Sequence, residues 1–176
     1  MIRELRGALP TPVKEALKRR IYPPLLAEGE TVPEWHLQSW DGSWHRHNNR
    51  KWTVMVFYPM DDTPGCTAQL RDYRELHGRL GELGARVYGV NPAEADSHEA
   101  FARKLDLEFP LLTDRGGVVA RQFKAALHLP FSTLVLRTVY LVNPERKIRL
   151  ANRGAPPAAA IVRSIEALQQ ATRAGM

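Results

Sequence analysis

Residues 52–59, WTVMVFYP, constrain the fold more than any other stretch. A run this rich in β-branched and aromatic residues, without a polar face, is stable only in a sheet covered on both sides. ARVYGVN (85–91) is a second such run, and FPLLTD (109–114) is a shorter one. TLVLRTVYLVN (133–143) and KIRLANRG (147–154) flank a turn at Pro144–Arg146 and predict a strand pair. Ahead of them, EWHLQSWDGSWHRHN (34–48) alternates around Asp41-Gly42, the signal of a two-residue hairpin loop.

Helical spacing fills the gaps between the strands. Leu70, Tyr73, Leu76 and Leu80 share one face, and Ser97 is placed to cap a helix carrying Ala100, Phe101 and Leu105. A brief helix is expected over 117–123. The last helix begins near Pro156 and aligns Ile161, Ile165, Leu168 and Thr172. Thr11-Pro12 opens a further short helix with Val13, Ala16, Leu17 and Ile21 on one side, ended by Pro23-Pro24. This order predicts an α/β chain with a central mixed β-sheet, helices on both faces and an N-terminal β-hairpin. The expected division is a basic, partly helical extension over 1–27 and one domain over 28–176.

A hydrophobic fraction of 44% and a charged fraction of 25% are those of a soluble globular protein, and no apolar run is long enough to span a bilayer. The first twenty residues lack the apolar core of a secretory signal, which predicts a cytoplasmic protein. The net charge of +6 would suggest nucleic acid. Its placement argues otherwise: six basic residues against Glu4 and Glu15 put four of those charges in residues 1–20. The extension is expected to present a solvated basic face, with a docking arm as the alternative.

The chain has one cysteine, Cys66, so it holds no intrachain disulfide and no CxxC pair. Cys66 follows a buried strand and a Pro64-Gly65 corner and falls in the first turn of a helix. Strand ends of this kind expose ligand sites in open α/β sheets. Unpaired N–H groups and the helix dipole there favour negative charge on the sulfur. One helix end supplies only about 1 kcal/mol, so a cation is required as well, and Arg71, Arg74 and Arg137 are the candidates. An inert buried cysteine would need none of these features.

YPMDDTPGCT (58–67) resembles the peroxiredoxin active-site signature Pro-x-x-x-Thr-x-x-Cys, with Pro59, Thr63 and Cys66 at the three positions. DYRE (72–75), the stretch 87–114 and RTVYLVNPERKI (137–148) are similar to the peroxiredoxin Q type, also called bacterioferritin comigratory protein. The resemblance runs from about Glu28 to the C-terminal helix. It implies a thioredoxin-like fold and thiol-dependent reduction of hydrogen peroxide and organic hydroperoxides, without a metal or other cofactor. By resemblance, Cys66 would be the nucleophile that becomes a sulfenic acid and Arg137 its electrostatic partner. Thr63 would align the peroxide, and Pro59 would shield the sulfur.

Two positions depart from the family. Arg71 stands where many Q-type members carry a resolving cysteine, so an external thiol or a partner protein would have to resolve the sulfenic acid. Thioredoxin, glutaredoxin or a low-molecular-weight thiol are the expected reductants, and the expected state is a monomer or weak homodimer without nucleic-acid or membrane partners. Gln69 replaces the family's usual Glu; it could accept a hydrogen bond from an arginine but could not balance its charge. A non-catalytic redox sensor or interaction module on the same fold is the competing reading.

His45 and His47 would share one side of a strand but lack a cysteine or carboxylate cluster, which makes them surface residues rather than metal ligands. His98 is expected on a helix face, Asp61 and Asp62 in a solvated turn, and the tryptophans Trp35, Trp40, Trp44 and Trp52 in hairpin packing.

Overall fold

The computed structural model describes residues 10–176; of the basic extension, residues 1–9 lie outside that range. Nine strands form around one large sheet: β1 (His36–Ser39), β2 (Trp44–Arg46), β3 (Trp52–Phe57), β4 (Ala85–Asn91), β5 (Leu111–Thr113), β6 (Ala126–Leu129), β7 (Ser132–Val135), β8 (Thr138–Val142) and β9 (Ile148–Arg153). Seven of them order as β2-β1-β5-β4-β3-β8-β9, and β6-β7 is a separate pair. β3 runs parallel to β4, and β4 to β5, while β8 and β9 add antiparallel at one side and β1 at the other. The helices are α1 (Thr11–Ile21), α2 (Pro64–Glu75), α3 (His77–Glu82), α4 (Ala95–Leu105), α5 (Val118–Gln122) and α6 (Ala158–Ala174).

Strand periodicity sends alternate side chains to two cores. Val54 and Val56 of β3 join Val87, Val139 and Leu141 on one face, where α2, α4 and α6 supply Leu70, Tyr73, Phe101, Leu105, Ile161 and Ile165. Met55 and Phe57 join Tyr88, Tyr140 and Val142 on the other, covered by α5 and the segment leading into β1. The continuous apolar runs of β3 and β8 follow from this double burial.

Local chemistry moves several expected boundaries. The hairpin loop has three residues, 40–42: Ser39 N–H donates to the Ser43 carbonyl and Gly42 takes φ +84°. Asp41 accepts from the Ser39 and Ser43 hydroxyls and the Ser43 N–H, which hold its pKa down to about 2. The helix expected after Cys66 breaks at Leu76 into α2 and α3. α4 opens at Ala95, so Ser97 is not its cap. The run 133–143 is not one strand: it divides at Leu136-Arg137, and its first part pairs with β6 in a hairpin the pattern did not announce. α1 forms as expected, but Pro10 rather than Thr11 occupies its cap position, and Val13, Leu17 and Ile21 remain about half exposed. Beyond α1 the chain joins the domain: Leu25 and Leu26 pack on the second core, and Leu26 N–H donates to the Tyr140 hydroxyl.

Candidate active site

β3 delivers the chain to the carboxyl edge of the sheet, where residues 58–63 turn it into α2. Thr63 is extended and caps the helix, its Oγ1 accepting from Cys66 N–H at 3.4 Å. Pro64 takes the first helical position, where its missing N–H costs nothing. Cys66 follows in the first turn, fully buried.

Of the three candidate cations, Arg137 reaches the sulfur, with Nη2 donating to Sγ at 3.4 Å. Arg74 is engaged elsewhere, donating to the Leu105 carbonyl at 3.0 Å, and Arg71 is exposed on α2. Arg137 sits in the two-residue break between β7 and β8 rather than on a strand. Its carbonyl accepts from Gly154 N–H at 2.7 Å, and Leu136 N–H donates to Ala125 at 2.8 Å. Gly65 leaves room for the guanidinium: a Cβ there would lie 2.6 Å from Nη2 and 3.2 Å from Cζ. The Pro-Gly pair therefore serves the approach of Arg137, not a left-handed turn.

Pro59 and Arg137 line a crevice of about 960 Å³, with Tyr22–Leu25 on one wall and Leu134–Leu136 on another. Arg153 ties that first wall down, donating to the Pro23 carbonyl at 2.9 Å and to Thr138 Oγ1 at 2.6 Å. Cys66, without exposed surface of its own, meets the crevice through Arg137. Pro59, Thr63, Cys66 and Arg137, expected together from the sequence, thus converge at one sheet edge.

Two residues given no role belong to the support of this site. Asp61 is not solvated; it is buried, and accepts from Tyr58 Oη at 2.7 Å, Asn91 Nδ2 at 2.8 Å and Ser97 Oγ at 2.8 Å. His98 is not on an open helix face; it is completely buried with Nδ1 2.9 Å from Asp61 Oδ2. Burial alone would raise the Asp61 pKa, but His98 and the hydroxyl donors outweigh it and hold the carboxyl below its ordinary value. Tyr58 is pushed well above its ordinary value by burial first, then by the charge on Asp61. The network pins residues 58–61, and with them Pro59, to β4 and α4. Asp62, by contrast, is exposed and pairs with Lys104 at 2.7 Å.

Gln69 forms no bond with an arginine. It is buried on α2, and neither amide atom has a partner among the described residues. His47 lies against the Pro144 carbonyl and His45 against Ser43. Among the described residues no group of three or more His, Cys, Asp or Glu side chains converges, and no helix is long and apolar enough to cross a membrane. Trp35 packs edge-on against Tyr88, Trp40 and Trp52 pack against the first core, and Trp44 is exposed.

Residues 29–151 match the AhpC/TSA family model. Chloroplastic peroxiredoxin Q of Oryza sativa subsp. japonica is 34% identical over 151 residues, covering 78% of this chain and 69% of the rice protein. The crystal structure of peroxidoxin BcpB from Mycobacterium tuberculosis superposes with a TM-score of 0.76 at 26% identity, over 81% of this chain and 97% of that one. Bacterioferritin comigratory protein of Xanthomonas campestris, whose structures concern alkyl peroxide reduction, gives 0.71 at 26% identity over 82% and 98%. The mixed sheet flanked by helices is accordingly the thioredoxin-like fold of these proteins. A thiol at a capped helix start and an arginine on its sulfur agree with that kinship: the chain belongs to the AhpC/TSA family as a peroxiredoxin of the Q type, a thiol peroxidase whose one cysteine leaves it without a resolving cysteine.

Proposed function

We propose that this peroxidase runs a one-cysteine cycle on hydrogen peroxide and organic hydroperoxides. The Cys66 thiolate attacks one peroxide oxygen; the O–O bond breaks, the sulfur is oxidised to sulfenate, and the other oxygen leaves as water or an alcohol once protonated. An external thiol then condenses with the sulfenic acid, releasing water and leaving a mixed disulfide. A second thiol attacks that disulfide, regenerating Cys66 and carrying away the oxidised reductant. Thioredoxin, glutaredoxin or a low-molecular-weight thiol fits these two steps.

The observation that carries this reading is the 3.4 Å contact of Arg137 Nη2 with Cys66 Sγ. The guanidinium sets a positive charge against the sulfur, and its remaining N–H groups can meet the charge that grows on the departing oxygen, as preorganised donors do. Thr63 Oγ1 already accepts from Cys66 N–H, which leaves its hydrogen to donate to the peroxide. Pro59, in the crevice wall with Arg137, shields the buried sulfur from water. Turnover is the test: peroxide consumption should continue for many equivalents while excess thiol is supplied. A single equivalent consumed, with no more on adding thiol, would replace the cycle with a one-shot sensor.

A further inference from the structure

At the edge of the sheet opposite Cys66, a groove of about 930 Å³ opens between the β1-β2 hairpin, the 47–51 turn, the start of β4 and the β8-β9 turn. β3 separates the two sites by its whole length, six residues at about 3.3 Å each. Four arginines line it, Arg46, Arg50, Arg86 and Arg146, against one carboxylate, Glu34. Glu34 pairs with Arg146 at 2.9 Å. Arg46, Arg50 and Arg86 form no ion pair and no side-chain hydrogen bond among the described residues, although elsewhere among those residues arginines make five ion pairs with carboxylates, Arg79 with Glu82 and Glu166, Arg103 with Glu99, Arg115 with Glu94 and Arg149 with Glu28. The neighbouring His45 and His47 are held below their ordinary range by burial first; Asp41 and the Pro144 carbonyl oppose the shift, and Arg86 and Arg146 add repulsion. Positive charge here is concentrated and unbalanced.

The groove also has an aromatic wall. Trp44 is 58% exposed, and the His36 ring lies on it with centroids 4.6 Å apart, leaving the rest of the indole open. An exposed indole bordering three uncompensated guanidiniums offers a stacking surface next to forked phosphate donors. The volume is that of a small-molecule site rather than of an extended duplex track. The lining is dominated by arginine, histidine and asparagine side chains, whereas the centre of a protein–protein interface is depleted in charge.

We infer that the groove binds a nucleoside phosphate, with Arg46, Arg50 and Arg86 on the phosphates and Trp44 under the base. The site is independent of the peroxide chemistry, so its failure would leave the peroxidase reading intact.

ATP titrated calorimetrically into the full chain tests this, with inorganic tripolyphosphate as the probe lacking a base. Saturable one-to-one binding of ATP is expected, weakening as salt is added. Arg46→Glu/Arg86→Glu should lower the affinity about a hundredfold, and the milder Arg86→Gln about tenfold. Trp44→Leu should cost ATP about tenfold while leaving tripolyphosphate unchanged. Peroxide consumption in each variant should stay that of the parent, which reports an intact fold. Absence of saturable ATP binding would overturn the inference, as would equal ATP affinity in the Arg86→Gln variant. Tripolyphosphate binding as tightly as ATP would likewise refute a nucleoside site.

Discussion

Arg137 reaches Cys66 across the face of Gly65, where a single added methyl would stand 2.6 Å from the guanidinium nitrogen Nη2 that donates to the sulfur. The glycine, the arginine and the thiol are thus one device, although 71 positions separate the last two.

Gly65→Ala should push the guanidinium off the sulfur while leaving α2 formed, since alanine is the better helix residue. The rate of Cys66 oxidation, followed by stopped flow, is expected to fall at least about tenfold with the melting temperature unchanged. A normal rate would mean that Arg137 accommodates the methyl and still reaches Sγ.

Arg137→Ala should lose about a hundredfold, the scale of removing one preorganised electrostatic group. Adding Gly65→Ala to it should cost nothing more, because both changes remove the same contact. Additive losses in this double-mutant cycle would show that Gly65 acts by another route.

Much of this site could be read from the chain. The burial of β3, the Pro-Gly corner and the lone thiol at a helix start are local features, each with a local physical cause. The support of the site was not legible, because it is made of long-range pairings. Asp61-Asp62 looks like a solvated turn until Asn91, Ser97 and His98 arrive from β4 and α4. Ser97 has the sequence of a helix cap, yet its hydroxyl is used by a carboxylate 36 residues away. The β6-β7 hairpin was hidden for a different reason: its β7 strand abuts β8 with only Leu136-Arg137 between them, and hydropathy does not register a two-residue break.

Asp61→Asn tests that support. The variant leaves His98 buried beside a neutral amide and should destabilise the fold by about 3 kcal/mol in urea. In the parent the folded carboxyl titrates below its ordinary value of 3.8. The stabilisation that the Asp61 carboxylate draws from its donors is therefore complete above that pH and is lost as pH falls through the folded value. Denaturation midpoints between neutral and acid pH should show this loss in the parent, and a shallower one in Asp61→Asn. Parallel curves would place the acid sensitivity in other carboxylates.

Thr63→Ala removes the helix cap and the peroxide donor together, whereas Thr63→Ser keeps both. Alanine is expected to lower stability by about 1 kcal/mol and slow peroxide consumption, with serine recovering most of each. Recovery of stability but not of rate would show that the threonine methyl, rather than its hydroxyl, positions the substrate.

Gln69 buries an amide without a partner among the described residues. Gln69→Met, of similar length and shape, should raise stability by about 1 kcal/mol in urea denaturation. A loss of stability instead would reveal that the amide is satisfied in solution.

The most direct test of the whole account is the reaction of the reduced protein with hydrogen peroxide, timed by stopped flow and weighed by mass spectrometry. A one-cysteine peroxidase should show rapid second-order loss of peroxide, one oxygen added at Cys66, and return to the starting mass with excess thiol. A rate no greater than that of free cysteine, or an oxygen found elsewhere in the chain, would contradict it.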